Sequence, residues 1–85
     1  MKKDLLISIY NQAIARTKKR IEELNFEEKK LRHFYLVNKK TLNDETKLTI
    51  NEKLSYYDTK IAHMRDKIEK YEMLRDEVQN NELEC

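Results

Sequence analysis

Apolar side chains recur along this chain at alternating intervals of three and four residues. One series runs from Ile7 through Tyr10, Ile14, Thr17, Ile21, Leu24, Glu28 and Leu31 to Tyr35. A second runs from Ile50 through Leu54, Tyr57, Ile61, Met64, Ile68, Tyr71 and Arg75 to Val78. This alternation places each series on a single stripe of an α-helix, the a and d positions of a heptad. Such a stripe is narrower than the face a globular helix buries, and its use is to pack against another helix. Between the two series the rhythm fails over residues 39–46. Asn43 and Asp44 there are good N-cap residues, and Asp44 and Glu45 suit the positive start of a helix. A rival start lies at Thr49, which forms a capping-box pattern with Glu52, and Asn25 is a weaker break that would give three helices. The pattern predicts one helical-hairpin domain over residues 1–85, with helix 1 at about 4–39. The turn is expected at about 40–44, helix 2 at about 45–80, and fraying at the C-terminus.

The hairpin can be checked against itself. When the chain is folded so that opposed residues share one constant sum of residue numbers, Ile7 meets Val78, Ile14 meets Tyr71, and Thr17 meets Ile68. Ile21 then meets Met64, Leu24 meets Ile61, Leu31 meets Leu54, and Tyr35 meets Ile50. Every layer joins an a position to a d position, as an antiparallel pair requires. Two layers are mixed. Tyr10 opposes Arg75, an expected cation–π stack, and Glu28 opposes Tyr57, whose phenol is expected to donate to the carboxylate.

Composition agrees with the pattern. The chain has no Gly and no Pro, so a sheet protein with several tight turns is excluded, whereas two long helices need only one turn. Charged residues make up 40% of the sequence, as in exposed helices. The bias toward Lys, Asn, Ile and Tyr points to an AT-rich genome, that of a low-GC bacterium or its phage. The net charge of +2 is too small to argue for nucleic acid by itself. The single cysteine, Cys85, cannot form an internal disulfide, so a cytoplasmic setting is expected. The apolar run from Leu5 to Ile9 is interrupted by Asn11 and Gln12 and makes a poor signal peptide, and no stretch approaches a membrane span.

A hairpin that buries one stripe per helix has a thin core for its length, so further burial is expected from a partner. The g and c positions flank both stripes on the same side and form one surface. Its ends are apolar, with Leu6, Ile9, Ala13 and Leu74 near the termini and Phe34, Val37 and Tyr56 near the turn. This is the expected partner-binding face. Its middle is a candidate anion-binding belt of Arg16, Arg20, Lys60, His63, Lys67 and Lys70. Acids at helical i,i+4 spacing offset part of the local charge, in the pairs Lys19–Glu23, Arg65–Glu69 and Asp66–Lys70. The opposite surface is mostly polar, with Ala15, Leu36, Leu48 and Ala62 as exceptions, and Phe26 belongs to neither surface.

The chemistry of an enzyme is missing from the pattern. His33 and His63 fall on outward positions far apart, Cys85 has no partner, and there is no glycine loop for phosphate. No catalytic residue, metal site or cofactor is therefore expected. The stretch from Ile21 to Ile61 loosely resembles the small two-helix aspartyl-phosphate phosphatases of sporulating bacteria. That family carries a Ser-Gln-Glu-Leu-Asp signature early in its second helix. Here the positions read Asn51, Glu52, Lys53, Leu54, Ser55, so only the leucine matches and Ser55 replaces the essential acid. Asp58 sits on the wrong face to substitute for it, and the chain is assigned to no family on this ground.

The expected fold is all-α, an antiparallel two-helix coiled-coil hairpin assembling as a dimer into a four-helix bundle. The expected function is that of a non-enzymatic protein-interaction module, a regulator, inhibitor or adaptor. Its partner is another protein, itself as a homodimer, or both, with no role for a membrane. One alternative is a polyanion or nucleic-acid binder working through the belt, disfavoured because acids are interspersed among the cations. The other is a helical-hairpin chaperone or targeting subunit of a secretion system. The Trp-x-Gly turn of the common secreted hairpins has no counterpart in a chain without Trp or Gly.

Overall fold

The computed structural model describes residues 2–80, all of them in two helices and the turn between them. Helix α1 spans Lys2–Asn38 and helix α2 spans Asp44–Asn80, 37 residues each. At 1.5 Å per residue each is about 55 Å long, and the two pack side by side in a rod of 64 × 14 × 13 Å. The radius of gyration, 19.1 Å, compares with about 12 Å for a compact domain of this length. Asn25 lies within α1 and does not break it. The expected C-terminal fraying and Cys85 lie outside the described residues.

The seam follows the heptad stripes. Ile14, Ile21, Leu24, Ile61 and Ile68 are buried together, with Tyr57, Met64 and Tyr71 half-buried against them. Ile50 and Leu54 are buried nearer the turn. No polar or charged residue among those described is buried, so burial here is apolar and confined to one line. Thr17 fits the seam because its hydroxyl donates to the Ala13 carbonyl at 2.7 Å and leaves its methyl group for packing. Two cross-helix contacts show that the helices run antiparallel. The Tyr10 and Tyr71 rings lie 6.4 Å apart, and Arg75 donates to the Asn11 side-chain carbonyl at 3.1 Å.

The mixed layers differ from the expected pairs. Arg75 does not stack on Tyr10: its guanidinium is taken by Asn11 and by Asp76 at 3.5 Å. A true acceptor outcompetes a ring face for a half-exposed cation. At the other layer one Glu28 oxygen accepts from the Arg32 Nε at 2.7 Å and also meets its Nη2, so the partner is Arg32 one turn along rather than Tyr57. A charge-assisted bond at i,i+4 spacing is stronger than a neutral phenol donor. The Glu28 side chain is only 13% exposed, held against the seam by this pair. Tyr57 instead lies against Tyr56, with ring centroids 6.0 Å apart.

The turn is built without glycine, and no described residue has a positive φ. The Asn38 carbonyl accepts from the Thr41 and Leu42 amides, at 2.9 and 3.2 Å, and from the Thr41 hydroxyl at 2.9 Å. The Asn38 side chain in turn donates to the Phe34 carbonyl at 3.0 Å. Orphan carbonyls at the end of α1 are thus satisfied by amides and side chains of the turn rather than by a left-handed cap. Lys39 and Lys40 follow the negative end of α1, and Asp44 and Glu45 occupy the positive start of α2. Asn43 is the N-cap: its side-chain oxygen accepts from the Thr46 amide at 2.7 Å. The rival start at Thr49 is internal to α2, where its hydroxyl donates to the Glu45 carbonyl at 3.0 Å. Asn43→Ala is expected to cost about 1 kcal/mol of unfolding free energy in urea melts followed by circular dichroism. An unchanged midpoint would show that the cap does not limit the hairpin.

Candidate interaction face

The g and c positions come from both helices, and the antiparallel pairing sets them along one side of the rod. Their register follows from the seam, because a residue one step from a buried stripe position must emerge beside it. Near the termini Leu6 and Ile9 on α1 and Leu74 on α2 are exposed, and Ala13 is half-buried. Near the turn Phe34, Val37 and Tyr56 are exposed, with Val37 at 66%. The rod therefore carries two apolar patches on this side, separated along α1 by about 37 Å between Ile9 and Phe34.

The belt lies between them. Arg16, Arg20, His63, Lys67 and Lys70 are exposed and Lys60 is half-buried. Arg20 pairs with Glu23 at 3.1 Å and Lys30 with Glu27 at 3.3 Å, both at i,i+3 spacing. The expected i,i+4 pairs of Lys19, Arg65 and Lys70 do not form among the described residues, and Glu23 turns to Arg20 instead. Arg16, Lys60, Lys67 and Lys70 have no ion-pair partner among the described residues. Half-exposed surface pairs such as Arg20–Glu23 contribute little to stability. Two open hollows lie on this side. One is lined by Glu27, Lys30, Leu31, Phe34, Lys53 and Tyr57, and the other includes His63, Lys67, Lys70, Met73 and Leu74.

Five exposed large apolar groups among the described residues fall outside the expected face. Leu5 and Met73 sit on the outermost line of each helix near the terminal patch and extend it sideways. Their heptad position carried the signal, but an f position alone does not show which patch it joins. Phe26 lies under Lys30, whose ammonium is 4.9 Å from the ring centroid. That contact accounts for an aromatic which the heptad pattern leaves unexplained, and i,i+4 spacing is its sequence signal. Leu36 and Leu48 are exposed on the opposite side near the turn.

Among the described residues no group of three or more His, Cys, Asp or Glu side chains could hold a metal ion. Among the same residues no helix is long and apolar enough to cross a membrane. No protein-family model matches the chain, and no curated protein or solved structure is significantly similar to it.

Proposed function

We propose that this chain is a non-enzymatic helical interaction module, a small cytoplasmic regulator, inhibitor or adaptor of a low-GC bacterium or its phage. It acts through the g/c face and uses that face to associate with itself as a homodimer built on four helices. The observation that carries this reading is unburied surface. The chain exposes 6981 Å², against roughly 5,400 Å² for a compact monomer of its mass. The excess of roughly 1,600 Å² per chain, or roughly 3,200 Å² for a pair, is on the scale of a homodimer interface. Six of the eleven exposed large apolar side chains among the described residues lie at the two ends of one face. Burying each large apolar side chain there is worth about 1.5–3 kcal/mol, and several must be buried together to outweigh the ~4–15 kcal/mol cost of association.

Sedimentation equilibrium at tens of micromolar in physiological salt is expected to show a dimer. Phe34→Glu is expected to dissociate it while leaving the helical signal unchanged, since Phe34 is 48% exposed and takes no part in the seam. A dimer indifferent to that change would place the contact on another side.

A second reading is favoured by the belt cations that lack an acid partner. They offer a track for a phosphate backbone. A gel shift with duplex DNA or RNA that weakens steeply with salt would support it, and no shift at low salt would end it.

A further inference from the structure

We infer that α1 carries a self-complementary docking stripe, and that its occupant is α1 of a second copy running antiparallel across a two-fold axis. This rests on the interaction reading above and specifies the partner and the register. The g and c positions of α1 form their own unbroken series at three- and four-residue spacing: Leu6, Ile9, Ala13, Arg16, Arg20, Glu23, Glu27, Lys30, Phe34, Val37. This is a second seam on the same helix, one step round from the buried one.

Folded back on itself about the point between Ile21 and Glu22, the series matches at every layer. Leu6 meets Val37 of the second copy, and Ile9 meets Phe34. Ala13 meets Lys30, where a small residue leaves room for the long stem. Arg16 meets Glu27, and Arg20 meets Glu23. Each layer joins a g position to a c position, the geometry that an antiparallel pair requires. Two-fold symmetry repeats every pair, so the contact has an apolar cluster at each end and four Arg–Glu pairs between them. The side chains are placed to take part. Leu6, Ile9, Phe34 and Val37 are exposed, the Arg20 and Glu23 side chains are half-exposed within 3.1 Å of each other, and Arg16 has no acid partner among the described residues. Beside the axis, Arg20 and Glu23 of the two copies can close into one alternating ring of four charges.

The rest of the rod argues for this register over its rivals. The same two-fold would set Lys60 of α2 against Lys67 of the second copy, a repulsive layer. The α2 helices therefore stand away from the seam, which is α1 on α1. If the two rods ran parallel instead, α1 would meet α2 of the second copy, and joining g to c positions would set Arg16 against Lys67 and Lys30 against Lys53, with Glu23–Lys60 as the one compensating pair, so the charges on balance would oppose docking.

Two charge-uniform variants test the register. Arg16→Glu with Arg20→Glu makes the middle of the stripe wholly acidic, and Glu23→Arg with Glu27→Arg makes it wholly basic. Each variant alone is expected to lose self-association by roughly a hundredfold, as four attractive pairs become four repulsive ones. Mixed in equal amounts they are expected to form a one-to-one heterodimer by light scattering and native mass spectrometry. That recovery also shows that both variants are folded. Variants that dimerise as tightly as the unaltered chain would overturn the register, as would a mixture that stays monomeric. If the charge variants leave a dimer intact while Phe34→Glu breaks it, the register falls and the interaction face stands. An unaltered chain that is monomeric at tens of micromolar overturns the inference and removes self-association from the wider reading.

Discussion

Leu24→Ala is expected to remove about 3 kcal/mol of unfolding free energy, a large share of what holds the hairpin together. Leu24 is the most buried side chain of the seam, 4% exposed, and belongs to the cluster of Ile14, Ile21, Ile61 and Ile68. Truncating a buried leucine costs about 2–5 kcal/mol, through lost transfer free energy and the cavity left behind. A domain of this length has roughly 4–13 kcal/mol in total. With only seven buried hydrophobic residues among those described, no second layer of core can collapse into the gap. Leu36→Ala is the control: Leu36 is 58% exposed on the far side of the rod, and the change should stay within about 0.5 kcal/mol. Urea denaturation followed by far-ultraviolet circular dichroism measures both. Equal, small effects would mean that the stripe is not the core. Because self-association stabilises the folded chain by mass action, the comparison belongs at one fixed protein concentration.

The second large effect is a covalent staple. With Cys85→Ser as background, the pair Leu24→Cys and Ile61→Cys is expected to crosslink within one chain, as is the pair Leu31→Cys and Leu54→Cys. Each bond closes a loop through the turn, and the loop-entropy relation gives a stabilisation of about 3–4 kcal/mol before any strain is subtracted. The Arg75–Asn11 hydrogen bond and the Tyr10–Tyr71 ring contact set the two helices antiparallel, as both pairs require. Non-reducing electrophoresis and thermal melts of reduced and oxidised protein read the result. Crosslinks formed only between chains would show that the two helices of a seam come from different subunits. A pair shifted by one heptad, such as Leu24→Cys with Ile68→Cys, should crosslink far more slowly.

Much of the fold was legible because a coiled seam is the simplest long-range structure a sequence can encode. The 3–4 alternation names the buried line, and the break between the two series names the place where the chain turns back. Every position of both series is buried or half-buried in the structure. The turn was legible for a local reason. An Asn that can cap α2, acids at its start and lysines after the end of α1 are interactions between near neighbours, and no tertiary contact is needed to choose them. The apolar ends of the g/c face and the cations between them follow from the same heptad arithmetic, as does the self-matching order of charges along α1.

What only the tertiary structure decided concerns side chains with more than one good partner. Arg75 had Tyr10, Asn11 and Asp76 within reach, and the rotamer packed against the seam selects the two oxygen acceptors. Glu28 had Tyr57 across the seam and Arg32 along the helix, and the charged neighbour won. Glu23 had Lys19 and Arg20 at helical spacing and turned to Arg20, while Phe26, unassigned by its heptad position, found Lys30. The alternatives in these choices differ by about a kilocalorie per mole or less. Spacing along a helix shows which groups can meet, but where several can, the outcome rests on rotamers, solvent exposure and the exact approach of the second helix, which exist only once the chain has folded.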